Sequence, residues 1–306
     1  MRYETKKYKI LVTLLVLFAF SCKKEDSLQR TANEKQQIDN YLQLHQITIK
    51  PTASGLYFQS TEDGTGETPH LDDFVNINYN VTTLNGNLIE TNNLLEAKKN
   101  GIVASTAIDG PVKLYIKNIT VKGLIEGLLQ MQEGGKAWML MPSSLTFNDY
   151  IPRIYEVELV KVIHDPAEYE NEKITNYLDT LSKALTYKPM MGDTTPEGLY
   201  YIETLAGTGI NPVDGNQVNV NYSVNLIDGP LISSMTNLTF KIGDSSVAPV
   251  FSAGPGVKQM KKGGKALIIV PYYRAYGIQG LNINGVIMIP TYATLVYSIE
   301  LKSITP

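Results

Sequence analysis

The residues best placed to do chemistry are tyrosines. Tyr276 sits in Ala275-Tyr276-Gly277, just after the apolar run Ala266 to Val270 and Pro271. Proline cannot extend a central strand, so the chain leaves the sheet there and Tyr276 falls in the loop beyond it. A ring with a hydroxyl in that position can line a cleft and donate a hydrogen bond. Tyr222 offers the same group from within a strand. The sequence holds no Ser-His-Asp arrangement, no His/Cys cluster and no phosphate loop. His45, His70 and His164 are scattered and read as surface or packing residues. Hydrogen bonding inside an apolar cleft is the chemistry on offer.

The elements that must position these tyrosines occur twice. Gly55-Leu56-Tyr57 is echoed by Gly198-Leu199-Tyr200, and Val75-Asn76-Ile77-Asn78-Tyr79 by Val218-Asn219-Val220-Asn221-Tyr222. Asn85-Gly86 matches Asp228-Gly229, Gly134-Gly135-Lys136 matches Gly263-Gly264-Lys265, and Glu158-Leu159 matches Glu300-Leu301. Val218 to Leu226 alternates apolar and polar residues, the period of a strand with one buried face. The Asp-Gly and Asn-Gly pairs are hairpin signals. A helix is expected before each copy, with stripes Ile38, Tyr41, Leu42, His45 and Ile174, Tyr177, Leu178, Leu181, Leu185. Asp165-Pro166 is a cap and first-turn pair for the second helix. Each copy reads as a mostly antiparallel sheet with one short helix, so the fold class is α+β. Repeats of this size mark a duplication rather than a solenoid.

The chain of 306 residues carries 27 basic and 30 acidic side chains, and no basic block lies in its body. That balance argues against nucleic acid as a partner. Residues 1–22 read as a lipoprotein signal: Arg2, Lys6, Lys7 and Lys9 precede an apolar stretch from Ile10 to Phe20 that is short for a membrane span. Cys22, the single cysteine, follows Ala19-Phe20-Ser21 and is the expected lipid anchor. With no second cysteine there is no disulfide framework. Residues 23–51 are expected to be a tether and short helix, 52–165 a first domain, 166–195 a helical linker and 196–306 a second domain.

The second copy carries Gly-Leu-Tyr, Gly207-Thr208-Gly209, Val218-x-Val220-x-Tyr222, Asp228-Gly229, Lys262-Gly263-Gly264-Lys265, Ala275-Tyr276-Gly277 and Leu295-Val296-Tyr297-x-Ile299-Glu300-Leu301, in that order. This resembles the FKBP-type peptidyl-prolyl cis-trans isomerases, above all the lipoprotein and envelope members with a helix before the domain. The resemblance implies two tandem FKBP-like domains, each an antiparallel half-barrel sheet wrapped on one short helix. It implies no cofactor or metal, proline-containing polypeptides as substrates, and a membrane attachment through the N-terminal lipid. Carried over residue by residue, Tyr276 and Tyr222 take the catalytic positions. Ile232, Val247, Ala248, Phe251, Ile289 and Tyr297 take the substrate-binding positions, with Val247-Ala248 supplying a backbone N–H and Phe251 the floor.

Three departures qualify what that likeness implies. Ile232-Ser233 stands where the family has Phe-Asp, so the second copy has lost a pocket carboxylate. In the first copy Ile89-Glu90 takes that place, Leu124 the pocket floor, Thr120-Val121 the backbone-donor pair and Phe147 the carbonyl-binding tyrosine. The flap is shortened to about Asn148 to Arg153, so this copy reads as a degenerate structural or binding domain. Trp138 lies away from the pocket position and reads as packing. A non-catalytic chaperone or protein-binding lipoprotein is the alternative reading, and a β-domain adhesin a third. The helices at 33–47 and 166–185 are candidates for a homodimer contact. The expected location is the cell envelope, on the periplasmic or surface-exposed face of the outer membrane.

Overall fold

The computed structural model describes residues 26–184, 198–244 and 255–306. Cys22, Leu185, Val247, Ala248 and Phe251 lie outside them. Helix α1 (26–44) comes first, then β1 (Tyr57–Glu62), β2 (Phe74–Thr83), β3 (Leu88–Thr91), α2 (Leu94–Asn100) and β4 (Val112–Tyr115). Helix α3 (Lys122–Leu128), β5 (Lys136–Met141), β6 (Arg153–Ile163) and α4 (Pro166–Ala184) follow. The second copy contributes β7 (Tyr200–Leu205), β8 (Gln217–Leu226), β9 (Leu231–Lys241), α5 (Pro255–Lys258), β10 (Lys265–Val270), β11 (Leu281–Ile283), β12 (Val286–Ile289) and β13 (Leu295–Thr305).

The duplication is visible in the strand order. One sheet runs β1-β5-β6-β2-β3, with β4 added beside β2, and the other runs β7-β10-β13-β8-β9. The register repeats as well. Lys136 faces Glu158 and Lys265 faces Glu300, while Tyr57 faces Leu140 and Tyr200 faces Ile269. Strands β5 and β10 even share one burial pattern, exposed at the lysine and buried over their last three residues. The α+β architecture is therefore present in both copies, with the same strand order and matching register at these positions.

Glycine makes each turn into these strands. Gly134 and Gly263 have φ of +85° and +80°, where a side chain strains the backbone. A Cβ on Gly207 would run into the Lys261 carbonyl, and one on Gly64 into that of Gln132. These glycines belong to the fold, because both copies have them.

Contacts group the chain into two compact units, and the division does not follow the repeat. One comprises residues up to 68 with 80–89 and 119–158; the other comprises 69–79, 90–118 and 159–306. In the second unit, β10 is apolar from Ala266 to Val270 because both faces of its sheet are covered. Val257 of α5 and nearby Met260 lie in one cluster with Val220, Ile268, Leu295 and Ile299. Ile174, Tyr177, Leu178 and Leu181 of α4 cover Ile202, Ile269 and Val296 on the other. In the first unit α1 does the same, packing Ile38, Tyr41 and Leu42 against Leu140, Ile154 and Trp138. His45 completes the stripe only as an exposed ring, 4.2 Å from that of Tyr41.

Each covering helix is pinned by a buried glutamate four residues before its isoleucine. Glu34 accepts hydrogen bonds from the Ser143 backbone N–H and, at 2.9 Å, from the Ser143 hydroxyl. Glu170 accepts from the Thr294 N–H at 3.0 Å and from Lys113 at 2.7 Å. Helix α4 begins on Pro166, with the Asp165 carboxylate accepting from Ala167 and Glu168 N–H. Among the described residues no helix is long and apolar enough to cross a membrane.

Candidate functional site

Tyr222 projects from β8 into the apolar cluster of the second sheet, and Tyr297 joins it from the neighbouring β13. Their ring centroids are 6.2 Å apart at an interplanar angle of 37°. Tyr297 is 7% exposed, and burial, with Tyr276 and Tyr222 nearby, pushes its phenol above the ordinary tyrosine range. It is held neutral as part of an apolar wall. Ile289 is buried in the same cluster, and Ile232 packs half-buried against it.

Tyr276 stands apart, 43% exposed. Pro271 ends β10, and a single 3₁₀ turn over Tyr272–Arg274 follows. Gly277, at φ +64°, donates to the Tyr272 carbonyl at 2.8 Å and closes the loop. The ring is thus presented by a short, internally bonded turn at the end of a buried strand, close enough to Tyr297 to act on its ionisation. An exposed phenol beside the buried Tyr297 and half-buried Tyr222 supplies a hydrogen-bond donor at the edge of an apolar surface.

Residues 280–289 form a β11–β12 hairpin around Asn284-Gly285, both with positive φ. Leu281 and Met288 turn onto the cluster beneath. The hairpin is also held from outside the repeat. The Ala107 N–H donates to the Ile287 carbonyl at 2.8 Å, the Ile287 N–H donates to the Ser105 carbonyl at 2.9 Å, and the Thr106 hydroxyl donates to the Ile287 carbonyl at 3.1 Å. Residues 105–107 lie in an insertion of the first copy with no counterpart in the second. Sequence reading missed this strap, and no motif announces it.

Aromatic neighbours went unnoticed too. Tyr272 and Tyr292 lie 4.9 Å apart by centroid, and Phe74 lies 5.4 Å from Tyr292 and 4.8 Å from Tyr115. Tyrosines next to the Ala-Tyr-Gly turn were the available signal.

In the first copy the position of Tyr276 is taken by Phe147, half-exposed, with the Arg153 guanidinium 4.8 Å above its ring. Asp149 fixes that guanidinium with bonds of 2.6 and 2.9 Å. Leu124 is buried in α3, and Gly127 beside it lies directly against Met139 of β5. The surprise is Tyr79, whose hydroxyl donates to Glu90 at 2.6 Å. The carboxylate missing from the second copy is present, and bonded, in the first. One reading needs correction: His70 and His164 are not scattered, for the fold brings both to Asp73.

Residues 209–302 match the family described as FKBP-type peptidyl-prolyl cis-trans isomerase. The chain is 37% identical over 112 residues to FK506-binding protein 4 of Dictyostelium discoideum, covering 36% of this chain and 29% of that protein. It is 33% identical over 165 residues to the FKBP-type peptidyl-prolyl cis-trans isomerase FkpA of Escherichia coli K12, covering 53% of this chain and 56% of the relative. The crystal structure of FkpA from Escherichia coli aligns at 31% identity with a TM-score of 0.36, over 46% of this chain and 61% of that one. The chain thus spans between about a third and somewhat over half of these relatives' lengths. It resembles the FKBP-type isomerases, and the first sheet shares the strand order and register of the second.

Proposed function

We propose that the protein is a peptidyl-prolyl cis-trans isomerase whose activity lies in the second copy and acts on proline-containing polypeptides. The observation that carries the reading is Tyr276, an exposed phenol set beside the half-buried Tyr222 and buried Tyr297 within the family match. Rotation about an X-Pro bond has a barrier of roughly 18–20 kcal/mol. The twisted amide has lost resonance, so its carbonyl is less polar and suits an apolar surface better than the planar form does. Tyr222, Tyr297 and Ile289 supply that surface, and the Tyr276 hydroxyl holds the carbonyl before the proline. No nucleophile is needed, since no bond is broken.

The location we propose is the cell envelope, with Cys22 acylated and the body held at the membrane by lipid. Losing Arg2, Lys6, Lys7, Lys9 and Glu4 with the signal leaves 23 basic and 29 acidic side chains, which suits a lipid-held rather than charge-held body. Its clients would then be extracytoplasmic proteins. A non-catalytic, polypeptide-binding role is the second reading, favoured by exposed Ser233 in place of the pocket carboxylate.

The test is a protease-coupled prolyl peptide assay on the full chain, because the β11–β12 hairpin is bonded to residues 105–107. Tyr276→Phe is expected to lower kcat/KM about three- to tenfold, the worth of one neutral hydrogen bond. A full chain no faster than the uncatalysed reaction, yet able to suppress aggregation of a proline-free client, establishes the second reading instead.

A further inference from the structure

Asp73, just before β2, is 5% exposed, and its carboxylate is held from two sides. The His70 backbone N–H donates to Oδ2 at 2.6 Å, and His164 Nδ1 shares a 2.7 Å hydrogen bond with Oδ1. His70 Nδ1 lies 3.4 Å from Oδ2, and the two imidazole centroids are 6.3 Å apart. The Asp73 N–H in turn donates to the His70 carbonyl at 3.1 Å, and Ile116 N–H donates to the Asp73 carbonyl at 3.1 Å. The turn that carries His70 and Asp73 is therefore internally bonded, and His164 arrives from the end of β6. One ligand atom from each of the three lies within 4.8 Å of the other two.

We infer that His70, Asp73 and His164 form a binding site for a borderline divalent transition-metal ion, of which zinc is the working example. Two imidazoles and one carboxylate match the donors that zinc, copper and nickel prefer, whereas magnesium and calcium take oxygen ligands. Zinc–ligand bonds of about 2.0–2.2 Å require the donor atoms, which lie within 4.8 Å of one another, to rearrange around one point. The side chains that must move can do so, since His70 is 81% exposed and His164 53%. Asp73 is the fixed member: its side chain is 8% exposed and its carboxylate is held by hydrogen bonds before any ion arrives. Binding replaces the proton shared by His164 and Asp73 and leaves the remaining coordination positions to water. Because the ligands come from the turn before β2 and from the end of β6, an ion there ties together two neighbouring strands of one sheet. It stabilises the folded chain by mass action.

The experiment is calorimetric titration of the tag-free, chelator-stripped full chain with zinc chloride, with thermal unfolding in parallel. A single saturable site and a rise in Tm with zinc, but not with magnesium, are expected. The His70→Ala/His164→Ala variant should lose at least about tenfold in affinity together with the Tm shift, whereas His45→Ala keeps both. Both replaced rings are exposed, so the variant is expected to fold, and its unchanged Tm without metal verifies that. Zinc binding that survives in the double variant, or no saturable binding in the parent chain, overturns the assignment.

Discussion

Tyr79 donates a 2.6 Å hydrogen bond to Glu90, while the position equivalent to Glu90 in the second copy is the exposed Ser233. The carboxylate position thus holds Glu90 in one copy and a serine in the other, while the loop position holds Phe147 in the first and Tyr276 in the second. Tyr79→Phe and Glu90→Gln should each destabilise the chain by about 1 kcal/mol, and together by less than the sum. Denaturant unfolding of the four species of the cycle measures the coupling. Strict additivity would mean the bond carries no stability.

The strap on the β11–β12 hairpin predicts a local effect. Thr106 is 4% exposed, and its hydroxyl both donates to Ile287 and accepts from the Ile108 N–H at 3.2 Å. Thr106→Val removes both bonds and should cost about 1–3 kcal/mol. Hydrogen exchange at the Ile287 amide, which donates to Ser105, should quicken well beyond that of β13. Equal acceleration everywhere would place the loss in global stability and not in the hairpin.

Glu170 is the hub of a buried ion group. It faces Lys113 at 2.7 Å and Lys173 at 3.1 Å, and Lys173 also reaches Asp228 at 3.0 Å. Burial drives the Lys113 ammonium below the ordinary lysine range, with Glu170 pulling it back up. Glu170→Gln strands the buried Lys113, while Lys173 keeps Asp228, and should cost about 3–5 kcal/mol. Lys113→Met should cost less, because Glu170 keeps Lys173. Chemical denaturation ranks the two, and the reverse order would dispose of the hub.

Tyr201 shows the opposite economy. Burial first, then Glu203, raises its phenol to about 12, and its hydroxyl has no hydrogen-bond partner among the described residues. A folded pKa above the unfolded value of about 10 means that its contribution is complete below pH 10. That contribution is lost as pH rises from about 10 to about 12. Tyr201→Phe should leave stability at pH 7 unchanged or raise it by about 1 kcal/mol, and should weaken the alkaline fall. Unfolding midpoints across pH 8 to 12 provide the measurement.

How much of this was legible beforehand depends on the range of the interaction. Strands and turns were legible because alternation and Gly-Gly-Lys are local, and two copies let each be checked against the other. Helix α1 is already formed at 26, the first described residue, ahead of the helix expected at 33–47, and its first described turns are polar. They are stabilised by pairs such as Arg30–Asp26 at 3.1 Å, which apolar periodicity does not register. Glu34 and Glu170 find their partners more than fifty residues away in sequence, at Ser143 and at Lys113 and Thr294, which no local pattern signals. His70 and His164 meet only because β6 lies beside β2, which brings the end of β6 to the turn before β2. The strap at 105–107 sat in an insertion with no counterpart to compare it with.

The strand order carries a consequence for synthesis. In both sheets the strand made last, β6 or β13, is the one that fills the interior, between β5 and β2 or between β10 and β8. Neither sheet can acquire its middle while its hairpins are emerging, so each copy waits as two unjoined edges. The first sheet receives its closing strand while the second is still to be translated. The two registers are alike, so an early β6 that has already docked leaves β7 to β10 no vacant partner of the wrong copy. Vectorial synthesis thus separates in time what the duplicated sequence would otherwise confuse in space.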